Sequence, residues 1–107
     1  MFGEHLRELR EIKNLPLRKV AAFLDIDTSV LSKIERGERN ATKEIVVSAA
    51  RFFGIDEQIL VNEFYSDTIA QLLYREQDFS KIFEVAEKKI EYLKNNTTQQ
   101  TQINFNE

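Results

Sequence analysis

The sequence predicts an all-α fold, and three observations carry that expectation. Apolar residues recur at steps of three and four over most of the chain, the spacing that lines one face of a helix. Helix-breaking and helix-capping residues, Pro16, Gly37 and Gly54 among them, interrupt that period at short intervals. No segment alternates with the period of two that a half-buried strand requires. With 42% hydrophobic and 31% charged residues, one Pro and three Gly in 107 residues, the composition is that of a folded globular chain.

The first helix carries Phe2, Leu6, Leu9 and Ile12 on one stripe, and it ends at Lys13-Asn14-Leu15-Pro16 because proline cannot continue it. Pro16 is tolerated in the first turn of a second helix, from about Pro16 to Leu24, with Val20, Ala21 and Leu24 inward. Asp25-Ile26-Asp27 has room only for a tight turn, and Asp25 tolerates a left-handed backbone. Asp27 is a good N-cap for a third helix, Thr28 to Arg36, with Leu31 and Ile34 inward and Gly37 as its stop. After a polar loop over Glu38 to Ala41, Thr42 caps a fourth helix carrying Ile45, Val46, Ala49, Ala50 and Phe53, which Gly54 closes. Asp56 caps a fifth helix containing Ile59, Leu60 and Phe64, with Ile55 and Leu60 placed as a staple across the cap.

Past Ser66-Asp67 a helical stretch holds Ile69, Leu72 and Leu73. The pattern leaves open whether it continues the fifth helix or stands apart. A last helix from about Asp78 to Lys94 places Phe83, Ala86, Ile90 and Leu93 at heptad-like spacing. Asn95 to Glu107 is almost entirely Asn, Gln and Thr, too polar to offset the entropy of ordering, so a frayed tail is expected. Ile103 and Phe105 are its only apolar anchors. The expected organisation is a domain over 1–65, a helical extension over 66–94 and a tail over 95–107.

Composition removes several classes of chemistry. Zero Cys excludes disulfides, thiolate metal sites and a cysteine nucleophile, and a single His excludes almost every zinc arrangement. No metal or cofactor is expected. His5 reads as an exposed residue of the first helix. Glu84, Glu87 and Glu91 alternate with Lys88 and Lys94 as a solvated helix face. Neither a glycine-rich phosphate loop nor a nucleophile motif with its His partner is present, so an enzyme is not expected. Without an apolar run of about 18 residues no membrane partner is expected, and the N-terminus does not read as a signal peptide. The expected location is the cytoplasm of a bacterium, or of a phage host, close to the nucleoid. Net charge is −3 overall but divides unevenly, +2 over residues 1–54 and −5 over 55–107.

That asymmetry matches the helix geometry. Two short helices joined by a three-residue turn and followed by a compact helix pair form a helix-turn-helix, whose second helix enters a major groove of double-stranded DNA. The outward face of that helix offers Thr28, Ser29, Ser32 and Lys33 as base readers, with Val30 nearby for a thymine methyl. Arg18, Lys19, Arg36, Arg39, Asn40 and Lys43 are placed for phosphates. Small Ala21 permits a close crossing of the two helices.

Residues Leu9-Arg10 through Leu60 resemble the Cro/cI-type (Xre family) helix-turn-helix domain of phage repressors and bacterial regulators. Most of the likeness lies in Leu24-Asp25-Ile26-Asp27-Thr28-Ser29-Val30-Leu31-Ser32-Lys33-Ile34-Glu35-Arg36-Gly37, and its tail in Ala49-Ala50-Arg51-Phe52-Phe53-Gly54-Ile55-Asp56. The resemblance implies a five-helix DNA-binding domain, commonly dimeric on palindromic operators, and a buried structural ion pair between Arg10 and Glu35. The chain departs from the family pattern at Pro16-Leu17, where Ser-Gln is common, which leaves the phosphate role there to Arg18 and Lys19. It departs again at Asp25, where Gly is usual.

The C-terminal apolar residues exceed what one terminal helix needs. Ile69, Leu72, Leu73, Phe79, Phe83, Ile90 and Leu93 either add core to the monomer or close on an identical chain, and the homodimer is favoured because it sets two recognition helices one DNA turn apart. A different protein partner on the same helices, as in an antitoxin, is the alternative.

Overall fold

A computed structural model describes the backbone of residues 1–106 and the side chains through Thr97. Its described residues form six α-helices and no strand: α1 (Phe2–Ile12), α2 (Leu17–Leu24), α3 (Thr28–Glu35), α4 (Lys43–Phe53), α5 (Glu57–Leu73) and α6 (Phe79–Asn106). The chain divides into two compact units, Met1–Leu72 and the residues from Leu73 onward. The division falls at the end of α5 rather than at 65/66, because α5 runs unbroken through Ser66-Asp67.

In the first unit α3 packs on both α1 and α2, and α2 also packs on α4. Leu6, Val20, Leu31, Val46 and Leu60 are the largest fully buried side chains, and Phe2, Ala21, Leu24, Ile34, Ala49, Ala50, Phe53 and Val61 complete the core. Each large apolar side chain removed from water contributes about 1.5–3 kcal/mol. Ala21 of α2 and Ala49 of α4 are almost wholly covered.

Four helix ends share one device. A left-handed residue follows the helix at Asn14, Asp25, Gly37 and Gly54, with φ between 52° and 76°. At each end two backbone amides return to the last turn. Leu15 bonds to Arg10, Ile26 to Ala21, Glu38 to Lys33 and Ile55 to Ala50, each paired with a bond from the left-handed residue itself to the carbonyl three residues before it. This is the Schellman arrangement, which satisfies carbonyls the helix leaves open. Asn14 therefore ends α1 before Pro16 is reached, and Pro16 is the extended N-cap residue of α2 rather than part of its first turn.

The N-caps are mixed. Thr42 Oγ1 accepts from the Ile45 amide at 3.3 Å and Asp56 Oδ1 from the Gln58 amide at 2.8 Å. Asp27 occupies the N-cap position of α3, but its carboxylate makes no capping hydrogen bond. Ile12, expected on the apolar stripe of α1, is 78% exposed. In the last turn of α1 the inward position belongs to Arg10, which reaches across to α3.

His5 is not an exposed residue. Its Nδ1 lies 2.9 Å from Glu63 Oε2, and both side chains are half-buried between α1 and α5. One turn further along α5, Asp67 Oδ2 accepts from the Phe2 amide at 2.6 Å. The start of α1 is thus held to α5 by two carboxylates.

In the second unit α6 continues to Asn106, where a frayed tail is expected from Asn95. No Gly or Pro follows Lys94, and extending an existing helix is far less costly than starting one. The side chains of Ile103 and Phe105 lie outside the described residues. Phe79 and Phe83 meet edge to face with centroids 5.8 Å apart. Phe79, Ile82, Phe83, Val85, Ile90 and Leu93 are all exposed on their own unit.

Candidate nucleic-acid interface

The interface is built outward from the α2–α3 turn. Leu24, Leu31 and Ile34 are buried beneath it, which leaves Thr28, Ser29, Ser32, Lys33 and Arg36 as the outer face of α3 and its cap. Thr28, Ser29 and Lys33 are exposed, whereas Ser32 and Val30 are half-buried. Arg18 and Lys19 are exposed in the first turn of α2, and Lys43 is exposed as the first residue of α4. Arg39 and Asn40 line one shallow cleft with Asp25, Asp27, Val30 and Thr42. They also line a second cleft with Arg7, Arg36 and Gly37, beside the start of α1. All the base and phosphate candidates are therefore carried by the first compact unit.

The pair beneath this face is bidentate. Arg10 Nε lies 2.9 Å from Glu35 Oε2 and Nη2 3.0 Å from Oε1, while Nη1 donates to the Leu15 carbonyl at 2.9 Å. Glu35 is 5% exposed, and the hydrogen bonds from Arg10 satisfy both its oxygens. The same contact raises the Arg10 guanidinium above its ordinary value, chiefly through the hydrogen bond to Glu35. By joining the last turn of α1 to the last turn of α3, the pair sets the pitch at which α3 is presented.

Arg36 is held differently from the other basic residues. Its Nε and Nη2 donate to Glu38 Oε2 at 3.1 and 2.8 Å, and Nη1 donates to Ser32 Oγ. Among the described residues, Arg18, Lys19, Arg39 and Lys43 form no ion pair. Glu38 was legible only as part of a polar loop. Its return to Arg36 depends on the left-handed turn at Gly37, which periodicity does not show. Arg7, another basic residue of the second cleft, is paired to Glu11 at 2.9 Å.

This geometry has a family. The helix-turn-helix family profile matches residues 6–60, just over half of the chain. The chain belongs to the helix-turn-helix family, of the Cro/cI (Xre) type. This helix-turn-helix protein is 39% identical over 72 residues to the HTH-type transcriptional regulator DdrOP3 of Deinococcus deserti, a match covering 65% of the chain and 56% of that regulator. It is 37% identical over 46 residues to the HTH-type transcriptional regulator RghRB of Bacillus subtilis, covering 43% of the chain and 33% of the relative. The chain thus spans about half, or less, of the length of these curated relatives.

Among solved structures, it resembles the restriction-modification controller protein C.AhdI of Aeromonas hydrophila. The TM-score is 0.51 at 34% identity, over 55% of this chain and 89% of the other. The clp gene regulator ClgR of Corynebacterium glutamicum has a TM-score of 0.53 at 24% identity, covering 79% and 88% of the two chains. At that identity the likeness to ClgR speaks for the helical fold alone. Among the described residues of the helix-turn-helix protein, no helix is long and apolar enough to cross a membrane, and no three His, Cys, Asp or Glu side chains gather as a metal site.

Proposed function

We propose that this chain is a sequence-specific DNA-binding transcriptional regulator, acting as a homodimeric repressor on a palindromic operator. The observation that carries the proposal is the outer face of α3. Five polar side chains at one helical register cover a buried apolar face, with four unpaired cations around them. Thr28, Ser29, Ser32 and Lys33 read base edges. Arg18, Lys19, Arg36, Arg39, Asn40 and Lys43 hold the phosphates and set the register on the duplex. Its likeness to a restriction-modification controller protein supports a small regulator of this kind.

Homodimerisation is supported by Ile69, Leu72, Phe79, Phe83, Ile90 and Leu93, which are exposed on their own units, and by half-buried Leu73. A two-fold partner covers them and places two copies of α3 about 34–36 Å apart, one turn of DNA. The same exposed residues also favour a second reading, in which a different protein binds the C-terminal helices. Sizing of the pure protein separates the two. A dimer supports the first, and a monomer that captures a helical partner supports the second.

The decisive test is a titration on DNA from upstream of the chain's own gene against a scrambled duplex of equal length. Discrimination of about a thousandfold or more at near-physiological salt is the expected result for a specific regulator. Ser32→Ala combined with Lys33→Ala is expected to remove most of that discrimination while the thermal melt stays unchanged. Full retention of discrimination by the double variant would overturn the assignment of the base readers.

A further inference from the structure

The loop that follows α3 carries an acid, Glu38, between two of the proposed phosphate-binding cations, Arg36 and Arg39. Gly37, at φ +76°, turns the chain back so that Glu38 lies against Arg36. Both partners remain close to half exposed, at 48% and 57%. The pair therefore stands at the surface that the phosphate backbone approaches, not in the core. Arg36 in turn donates to Ser32 Oγ from one turn earlier on the same face. The three side chains form one chain of contacts, Glu38 to Arg36 to Ser32, running from the loop to the base-reading face.

Two chemical consequences follow. A guanidinium occupied by a carboxylate must exchange that partner before it can take a phosphate, since both ligands use the same donor fork. A serine hydroxyl that accepts from Arg36 keeps its own proton to give. Ser32 thereby keeps its proton for purine N7, guanine O6 or thymine O4, with a single lone pair left to accept from an amino group. Glu38 also lies within the field of Lys33, the neighbouring base reader.

We infer that Glu38 is a specificity-determining residue that competes with the DNA backbone for Arg36, lowering sequence-independent binding and keeping Ser32 oriented as a hydrogen-bond donor to the bases. The inference rests on the DNA-binding reading given above. Sequence-independent affinity comes almost entirely from phosphate contacts. Holding one cation on an internal carboxylate weakens that term while leaving base contacts in place, so the ratio of specific to non-specific binding rises.

The test uses the full chain, a mixed-sequence duplex of fixed length, and a duplex enriched by the wild-type protein from a randomised pool. Glu38→Gln is expected to bind the mixed-sequence duplex about three- to tenfold more tightly at low salt, with the slope of log K against log salt steeper by about 0.9 for the one phosphate gained. Discrimination for the enriched duplex falls correspondingly. In an Arg36→Ala background the same Glu38→Gln change is expected to have no effect. An equal gain in that background would mean simple removal of a negative charge, and the inference would be wrong. Unchanged affinity and slope in Glu38→Gln itself would also overturn it while the DNA-binding reading stands. A wild-type chain that binds neither duplex at low salt removes the DNA-binding reading, and this inference with it. Thermal melts confirm folding of each variant, which the exposure of both residues leads one to expect.

Discussion

Arg10 and Glu35 show how much one contact decides in a domain this small. The pair is buried, bidentate and satisfied by the Leu15 carbonyl on its remaining side. Removing one member leaves an uncompensated charge inside, so Arg10→Ala or Glu35→Ala is expected to lower stability by about 3–5 kcal/mol in chemical denaturation. The exposed Arg36–Glu38 pair behaves oppositely and adds little to stability. Its signature is in titration. The hydrogen bond from Arg36 holds the Glu38 carboxyl below the ordinary glutamate value. A depressed folded value means that the pair's contribution is present above the unfolded value and lost as pH falls through the folded one. Carboxyl chemical shifts are expected to place the Glu38 transition below the ordinary glutamate value, and Arg36→Ala should return it towards that value. Both partners of the buried pair were legible through the family pattern. Glu38 and the His5–Glu63 contact were not, because each joins residues that only a turn or a tertiary crossing brings together.

At the level of helices, punctuation was well marked wherever it depended on backbone preference. Gly37 and Gly54 end α3 and α4 as expected, and Asp25 takes the left-handed conformation between α2 and α3. Asp25 is a residue for which that conformation is strained, so Asp25→Gly is expected to raise stability by about 1 kcal/mol, measured by the shift of the denaturation midpoint. Gly3 serves a different purpose. It lies where α1 crosses the end of α3, and a side-chain carbon there would run into the Ile34 carbonyl oxygen. Gly3→Ala therefore forces two backbones apart and is expected to cost roughly 1–3 kcal/mol. Periodicity misplaced Ile12 because a three-to-four spacing continues past the point where a neighbouring helix is present to cover it. It also stopped the last helix at Lys94, since a polar composition speaks against burial and not against extending a helix already formed.

For the whole molecule, the charge asymmetry does not follow the division at Leu72–Leu73: residues 1–54 carry +2, but Asp56, Glu57, Glu63 and Asp67 bring the first unit to −2, against −1 for the residues from Leu73 onward. The first unit carries ten of the fifteen basic groups and α3, the helix proposed to face DNA. The second carries the exposed apolar side chains of α6. If an identical chain covers that apolar set, Phe83→Glu with Ile90→Glu should weaken dimerisation by about 2 kcal/mol or more. Analytical ultracentrifugation is the measurement, and an unchanged dimer would show that the interface lies elsewhere. The first unit should melt as before in this variant, because neither residue belongs to its core.

Helix content, the order of the first four helices, the turn at Asp25 and the polar face of α3 were all present in the linear chain. Each depends on local backbone preference or on a period of three to four residues, and such information is carried by neighbours in sequence. Other features needed tertiary structure: the docking of α1 through Gly3, the contact of half-buried His5 with Glu63, the exposure of Ile12, the unbroken length of α5 and the return of Glu38 to Arg36. These depend on which surfaces meet across long separations in sequence. Whether an apolar residue is covered, or a cation neutralised, is set by what lies opposite it in space.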